Sequence, residues 1–487
     1  MHMHMLVRMT LSRTAPAPPS NAAVLTVTTP SGWSRRIWAL LVVLCGALFL
    51  DALDISMVGV ALPSIGADLG MQPSSLQWIV SGYVLGYGGL LLLGGRAADL
   101  LGRRQVFLAA VTLFGVASVV SAFLSDDTTL IALRFVKGIA AGFTVPAGMS
   151  IITTTFAEGP ARNRALSIYT VCGASGFSMG LVFGGLLTEI GWRATFLLPG
   201  PLALLILAAG IRLIPGSSRI KTRLAELDLF GALTSTGSLL VLVFAVVQAP
   251  QRGWGSPTTV IMLTLAAGLA VTFVMIERRH PRPLVRLGIL RSVHVVHANV
   301  VGAIMFGGYA AFQFLVTLYL QNTLGWTPLS MALGFLPAGV LVALSATKMD
   351  RVLARFRTVV LIGVGLTAFV IGYALFLRAQ PGQSYVSFLL PTIVLLGIGF
   401  ALCFPSINSQ ATAGVVDEEQ GLASGLVNTS VQIGGAVMMA VVTAIIGGAR
   451  STPGAAIPSM TTAIAVIVGL SFVGLVGTWT LARRLAH

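Results

Sequence analysis

Four ionisable side chains sit where the rest of the sequence is apolar. Asp51 and Asp54 lie in LDALDISMVGVALP (50–63), and Arg134 and Lys137 in RFVKGIAAG (134–142). A charge near the centre of a membrane helix costs roughly 2.5–3.5 kcal/mol, so such a group needs a partner or a task. Each pair is spaced i, i+3 and occupies one helix face. Two acids and two bases can form a static ion-pair network. They can also take up and release a proton as access to water alternates. Desolvation favours a neutral acid, a nearby cation favours an ionised one, and two close carboxylates resist ionising together. A cationic substrate could compete for the same carboxylate.

The elements that must hold these groups are membrane helices. The 487 residues are 56% hydrophobic and only 9% charged, against about 25% charged in soluble proteins. Runs of about 20 apolar residues, long enough to span a bilayer, occur fourteen times, from 37–62 to 461–482. If the N-terminus is cytoplasmic, 24 of the 30 Lys and Arg residues fall inside and four outside. That bias orients a membrane protein with both termini cytoplasmic, and it accounts for the net charge of +15 without nucleic acid. Helix 1 then runs outward, with its outer end near Pro63, and helix 4 runs inward, so all four charges share one depth. The carboxylates are expected to face a central cavity.

Other classes of function lack their residues. There is no HExxH, no CxxC and no Gly-Lys pair for a phosphate-binding loop, and the six histidines lie in the tails or in 277–297. Cys45, Cys172 and Cys403 read as small core residues. The expectation is no enzyme, no metal and no cofactor.

GGRAADLLGRRQ (94–105), between helices 2 and 3, resembles the GxLaDrxGrr signature of the major facilitator superfamily through Gly95, Asp99, Gly102, Arg103 and Arg104. Such a cluster can latch one face shut, with Gly102 closing the turn. SATKMDRVLARFR (345–357) echoes it with Asp350 but without the glycines. LDISMVGVALP (53–63), RFVKGIAAG and GASGFSMGLVFGG (173–185) resemble the first-, fourth- and fifth-helix motifs of the fourteen-helix drug:proton antiporters. GLASGLVNTSVQIGG (421–435) fits the family's thirteenth helix. Departures are Lys137 for Gln, Leu181 for Pro and Val431 for Arg.

The resemblance implies an all-α major facilitator fold with two six-helix bundles and two inserted linker helices. The expected division is a basic tail 1–36, bundles 37–212 and 298–482, linkers 213–297 and a tail 483–487. It implies proton-coupled efflux of hydrophobic or cationic drug-like molecules from a monomer in the cytoplasmic membrane, in contact with lipid and protons. Symport and uncoupled facilitation are the rival transport modes. The motif aligns with Asp54 as proton carrier, while Asp51 is extra, either a second proton site or a contact for a cationic substrate. Gly173, Gly176, Gly180, Gly184 and Gly185 belong to the helix-5 antiporter motif, and Gly176, Gly180 and Gly184, four apart, form a small-residue face expected to pack against a helix of the C-terminal half. Tyr309, Gln313, Asn408, Asn428 and Gln432 are the polar candidates for a largely apolar substrate cavity.

Overall fold

The computed structural model describes residues 33–156, 160–216, 228–280, 283, 285, 287–346, 348–380, 383–415, 417–446 and 459–484. Among them are fourteen helices long and apolar enough to cross a membrane. These are α1 (Arg35–Leu69), α2 (Pro73–Ala98), α3 (Arg103–Ala122), α4 (Asp127–Thr155), α5 (Arg164–Ile190), α6 (Arg193–Leu213) and α7 (Leu229–Ala249). They continue as α8 (Pro257–Arg279), α9 (Val293–Thr323), α10 (Pro328–Ser345), α11 (Thr358–Phe376), α12 (Tyr385–Thr412), α13 (Leu422–Ile446) and α14 (Met460–Arg484). In lipid a backbone must satisfy its own N–H and C=O groups, and helices do so within one segment.

The packing plan repeats. α1 lies along α5, α2 along α4, and α3 against α4 and α6; eight helices later α9 lies along α13, α10 along α12, and α11 against α12 and α14. The chain therefore forms two six-helix bundles, α1–α6 and α9–α14. They meet where α2 packs on α13 and α5 on α10. The two extra helices pack on each other, and α7 also lies on α2 and α13. α8 is mostly exposed through apolar residues such as Ile261, Leu265 and Val271, a surface suited to lipid.

Three expected boundaries move. α1 does not end near Pro63; it runs through that proline to Leu69 and stops at Gly70, whose φ of 64° is left-handed. Membrane helices tolerate an internal proline because neighbours satisfy the freed backbone groups. The carbonyl that Pro63 itself leaves without a helical donor is that of Gly59; beside it, Gln321 of α9 donates from Nε2 to the carbonyl of Val60 at 2.9 Å. α9 opens at Val293, capped by Ser292, so His294 and His297 belong to a helix rather than to a connection. His297 bridges Gln410 of α12 (3.2 Å) and Thr478 of α14 (3.0 Å). Arg35, Arg36, Arg483 and Arg484 likewise lie in α1 and α14, while the rest of both tails lies outside the described residues.

The glycine face of α5 also meets a different partner. A Cβ on Gly176, Gly180 or Gly184 would stand 2.9, 2.8 and 2.8 Å from the Cα atoms of Phe49, Leu53 and Met57, all on α1. The face therefore packs within its own bundle. Gly185 alone of this motif reaches the other half, with its Cβ position 2.7 Å from Leu329 Cα on α10. Side chains at i and i+4 stack on one side, so 176, 180 and 184 track one neighbour and 185 turns about 100° away. α5 has no internal proline, and Leu181 is buried in it.

Candidate functional site

The site is built on a close crossing of α2 and α4. A Cβ on Gly138 would stand 2.8 Å from the carbonyl carbon of Tyr83, and one on Gly94 would stand 2.9 Å from that of Gly142. Small residues let the two backbones touch. This contact carries Arg134, one turn before Gly138, and Lys137, next to it, into the interior of the first bundle, where both are buried.

Asp54 receives both cations. Arg134 Nη1 donates to its Oδ2, and Lys137 Nζ donates to its Oδ1 at 2.5 Å. Arg134 Nε also donates to the carbonyl of Ile79 at 2.9 Å, and its guanidinium lies 4.5 Å from the Tyr83 ring centre. Lys137 Nζ lies 4.7 Å from the Phe114 ring centre of α3 and 5.5 Å from that of Phe196 of α6. Asp54 and Lys137 have no exposed surface, and Arg134 has 1%. A buried pair of this kind offsets its desolvation only when geometry and hydrogen bonds are good, and losing one partner strands a charge. Asp51, one turn earlier, is also buried, yet it forms no ion pair among the described residues and its Oδ2 has no hydrogen-bond partner there.

The carboxylates do not face the central cavity. Ile55, Ser56, Gly59 and Leu62 are the α1 residues that line it, together with Phe177 of α5 and Tyr309 and Gln313 of α9 among others. At 100° per residue the α1 residues of the lining stand roughly 80–200° around the helix from Asp54, which turns instead toward Arg134 and Lys137 of α4. The cavity is small, about 40 Å³. Phe177 and Phe400 bracket the Tyr309 ring at 6.2 and 5.5 Å. Such a surface, aromatic with few polar groups, suits an amphipathic molecule.

The polar candidates divide. Tyr309 and Gln313 line the cavity. Asn408 and Asn428 instead donate to carbonyls of their own helices, those of Phe404 and Ser424. Gln432 packs on Gly88 of α2, across the seam between the bundles. Tyr83 and Phe177 were not singled out in the sequence. Their only signal is an aromatic at a helix crossing, and dozens of residues share it.

In the loop after α2, Gly102 has φ 102°, a conformation that strains any side chain, and it joins helix 2 directly to helix 3. Arg104 donates to the carbonyl of Ile211 at the end of α6 (2.6 Å). Gly95 makes ordinary contact with Pro146. Arg103 is partnered, and the side chains of Asp99 and Asp350 lie outside the described set. Cys45 and Cys172 lie side by side as free thiols. Among the described residues no cluster of His, Cys, Asp or Glu could hold a metal ion.

This architecture matches known proteins along its length. The sequence profile of the Major Facilitator Superfamily matches residues 44–439. The chain belongs to that superfamily. It is 37% identical over 466 residues to the puromycin resistance protein pur8 of Streptomyces alboniger, covering 92% of this chain and 91% of that one. It is 34% identical to the cephamycin export protein CmcT of Amycolatopsis lactamdurans, covering 84% and 85%. Among solved structures, the POT family transporter PepTSo superposes with a TM-score of 0.65 at 14% identity, over 93% of this chain and 98% of that one. At that identity the likeness concerns the fold. This major facilitator protein is a multi-pass membrane transporter.

Proposed function

We propose that this transporter exports hydrophobic or amphipathic drug-like molecules, cations among them, from the cytoplasm in exchange for protons. The observation that carries the reading is the double role of α1. Part of its surface lines an aromatic cavity, and the same helix holds a buried acid cluster against α4. A protonation event in the cluster can thereby bias the packing that shapes the cavity. The names of the relatives, a resistance protein and an export protein, support outward transport of small molecules. The bundles 37–212 and 298–482 rock about the cavity as a monomer, with 213–297 riding between them. The face bearing 24 basic residues is cytoplasmic.

The test is transport in everted membrane vesicles with a drug panel that includes puromycin, with and without an imposed pH gradient. Accumulation that rises with an acid interior and collapses with a protonophore is expected. Equal uptake under both conditions would mean uncoupled facilitation. A cysteine at position 280, by the same orientation, should resist impermeant thiol reagents applied to intact cells; labelling there would reverse the topology.

A further inference from the structure

Asp54 and Asp51 sit one helical turn apart, and their surroundings differ in kind. Both oxygens of Asp54 are taken, one by Arg134 and one by Lys137. To protonate it, a proton would have to displace a cation that has nowhere else to go. Asp51 is equally sealed, at 4% exposure, but neither cation reaches it among the described residues. Its Oδ2 accepts no hydrogen bond there. An ionised carboxylate presents about four acceptor sites, and burying one oxygen of it dry is far costlier than burying the neutral acid.

The groups that face Asp51 come from four helices. On α1 itself it is Asp54. α2 contributes the hydroxyls of Tyr83 and Tyr87, α4 contributes Lys137, and α5 contributes Tyr169. Tyr83 has a buried hydroxyl without a partner, and the two α2 rings stand 6.3 Å apart edge to face. Tyr169 donates to the carbonyl of Val145 at 3.1 Å. None of these neighbours supplies a second full positive charge to Asp51.

We infer that Asp51 is the proton-carrying group of this transporter and that Asp54 is the fixed counter-ion of Arg134 and Lys137, the reverse of what the motif alignment implies. The assignment rests on the proton-coupled reading above and deepens it. Lys137 is the cause. Where the family motif has a neutral Gln, this chain places a second cation, and that cation saturates Asp54. Proton uptake at Asp51 Oδ2 takes the cluster of two acids and two bases from neutral to +1, and release restores neutrality, with no other bond changed. A cationic substrate in the cavity that α1 also lines disfavours the +1 state. Proton and substrate therefore exclude one another, which is the condition for exchange.

The experiment is infrared spectroscopy of the full-length protein in lipid nanodiscs, titrated with pH and read at the carbonyl stretch of protonated carboxylic acids. The variants are Asp51→Asn, Asp51→Glu and Asp54→Glu, the last two keeping an acid at each place. A titrating band that vanishes in Asp51→Asn, shifts in Asp51→Glu and stays put in Asp54→Glu is the expected result. A band that follows Asp54→Glu, or no such band in the wild type, would overturn the assignment. If Asp51→Asn does not fold, reaction of the wild type with dicyclohexylcarbodiimide, which modifies protonated buried carboxyls, locates the proton by tandem mass spectrometry. An adduct on Asp51 supports the inference, and an adduct on Asp54 or on neither overturns it. Gradient-driven transport in proteoliposomes separates the two readings: a wild type indifferent to the gradient ends the coupled mechanism even where the band belongs to Asp51.

Discussion

α1 and α9 hold equivalent places in the two bundles, each lying along the helix four further on, yet their interiors are opposites. α1 brings two acids to meet two bases. α9 has no acid at all, and the core around it is aromatic: Phe312 lies 5.0 Å from Tyr373 and 5.1 Å from Phe376, and Phe369 stacks on Tyr373 at 5.7 Å. The polar links of the second bundle are neutral, as between Asn299 and Ser430 (2.7 Å) or His297 and Gln410. The same packing plan thus closes with rings in one half and with ions in the other. Charge is not required by the fold. Its presence in the first half calls for another cause, and the proton exchange proposed above would supply one.

Removing a charge is the sharpest way to break this comparison. Asp54→Asn leaves Arg134 and Lys137 buried without a counter-ion, a loss on the order of 3–5 kcal/mol. It should greatly reduce folded protein in fluorescence-detected size exclusion, while Gln313→Leu in the second half should not. Adding Lys137→Met to Asp54→Asn should recover part of the loss. Equal abundance of Asp54→Asn and Gln313→Leu would mean the ion cluster is not holding α1 to α4.

Where the halves are alike, substitutions should act alike. Gly180→Leu drives a side chain into the α1 backbone at Leu53, and Gly434→Leu does the same to α9, where a Cβ would stand 2.6 Å from the Ala303 carbonyl carbon. Overpacking typically costs about 1–3 kcal/mol, so both should lower the thermal midpoint by similar amounts. Gly469→Leu, at a position with nothing within 4 Å, is the control. A drop confined to one half would show that the α1–α5 and α9–α13 contacts are not equivalent.

The smallest change in protein level is expected at the loops. Gly102→Ala strains a backbone at φ 102° by about 1 kcal/mol, and with Asp99→Asn it should slow transport while leaving membrane abundance near normal. Asp350→Asn in the second half, where the echo lacks the glycines, should slow it less. Unchanged turnover in both Gly102→Ala and Asp99→Asn would reduce the loop to a turn.

The helices were legible because each apolar run is long and the basic residues punctuate them. The pairing of Asp54 with α4 was legible in part, since i, i+3 spacing and shared depth bring four charges together. Which way they point was not. A helix face is relative until its neighbours are known, and the neighbours of α1 were fixed by Gly138, Gly176 and Gly180, whose contacts no periodicity names. The proline at 63 misled for a related reason. Its missing N–H would end a helix in water, whereas here α1 continues past it and a side chain from the other bundle reaches the backbone alongside.

That side chain is Gln321, donating to the carbonyl of Val60. One amide hydrogen bond is worth about 1 kcal/mol net, a factor of roughly five in population. Beyond it, the seam of α5 and α10 includes close contacts of Gly185 with Leu329 and Ala332 and of Ser178 with Gly339. A joint of this kind has no sticking point. In the proposed cycle it parts and reseals without melting either bundle, which leaves the balance between its two states to the occupant of the chamber.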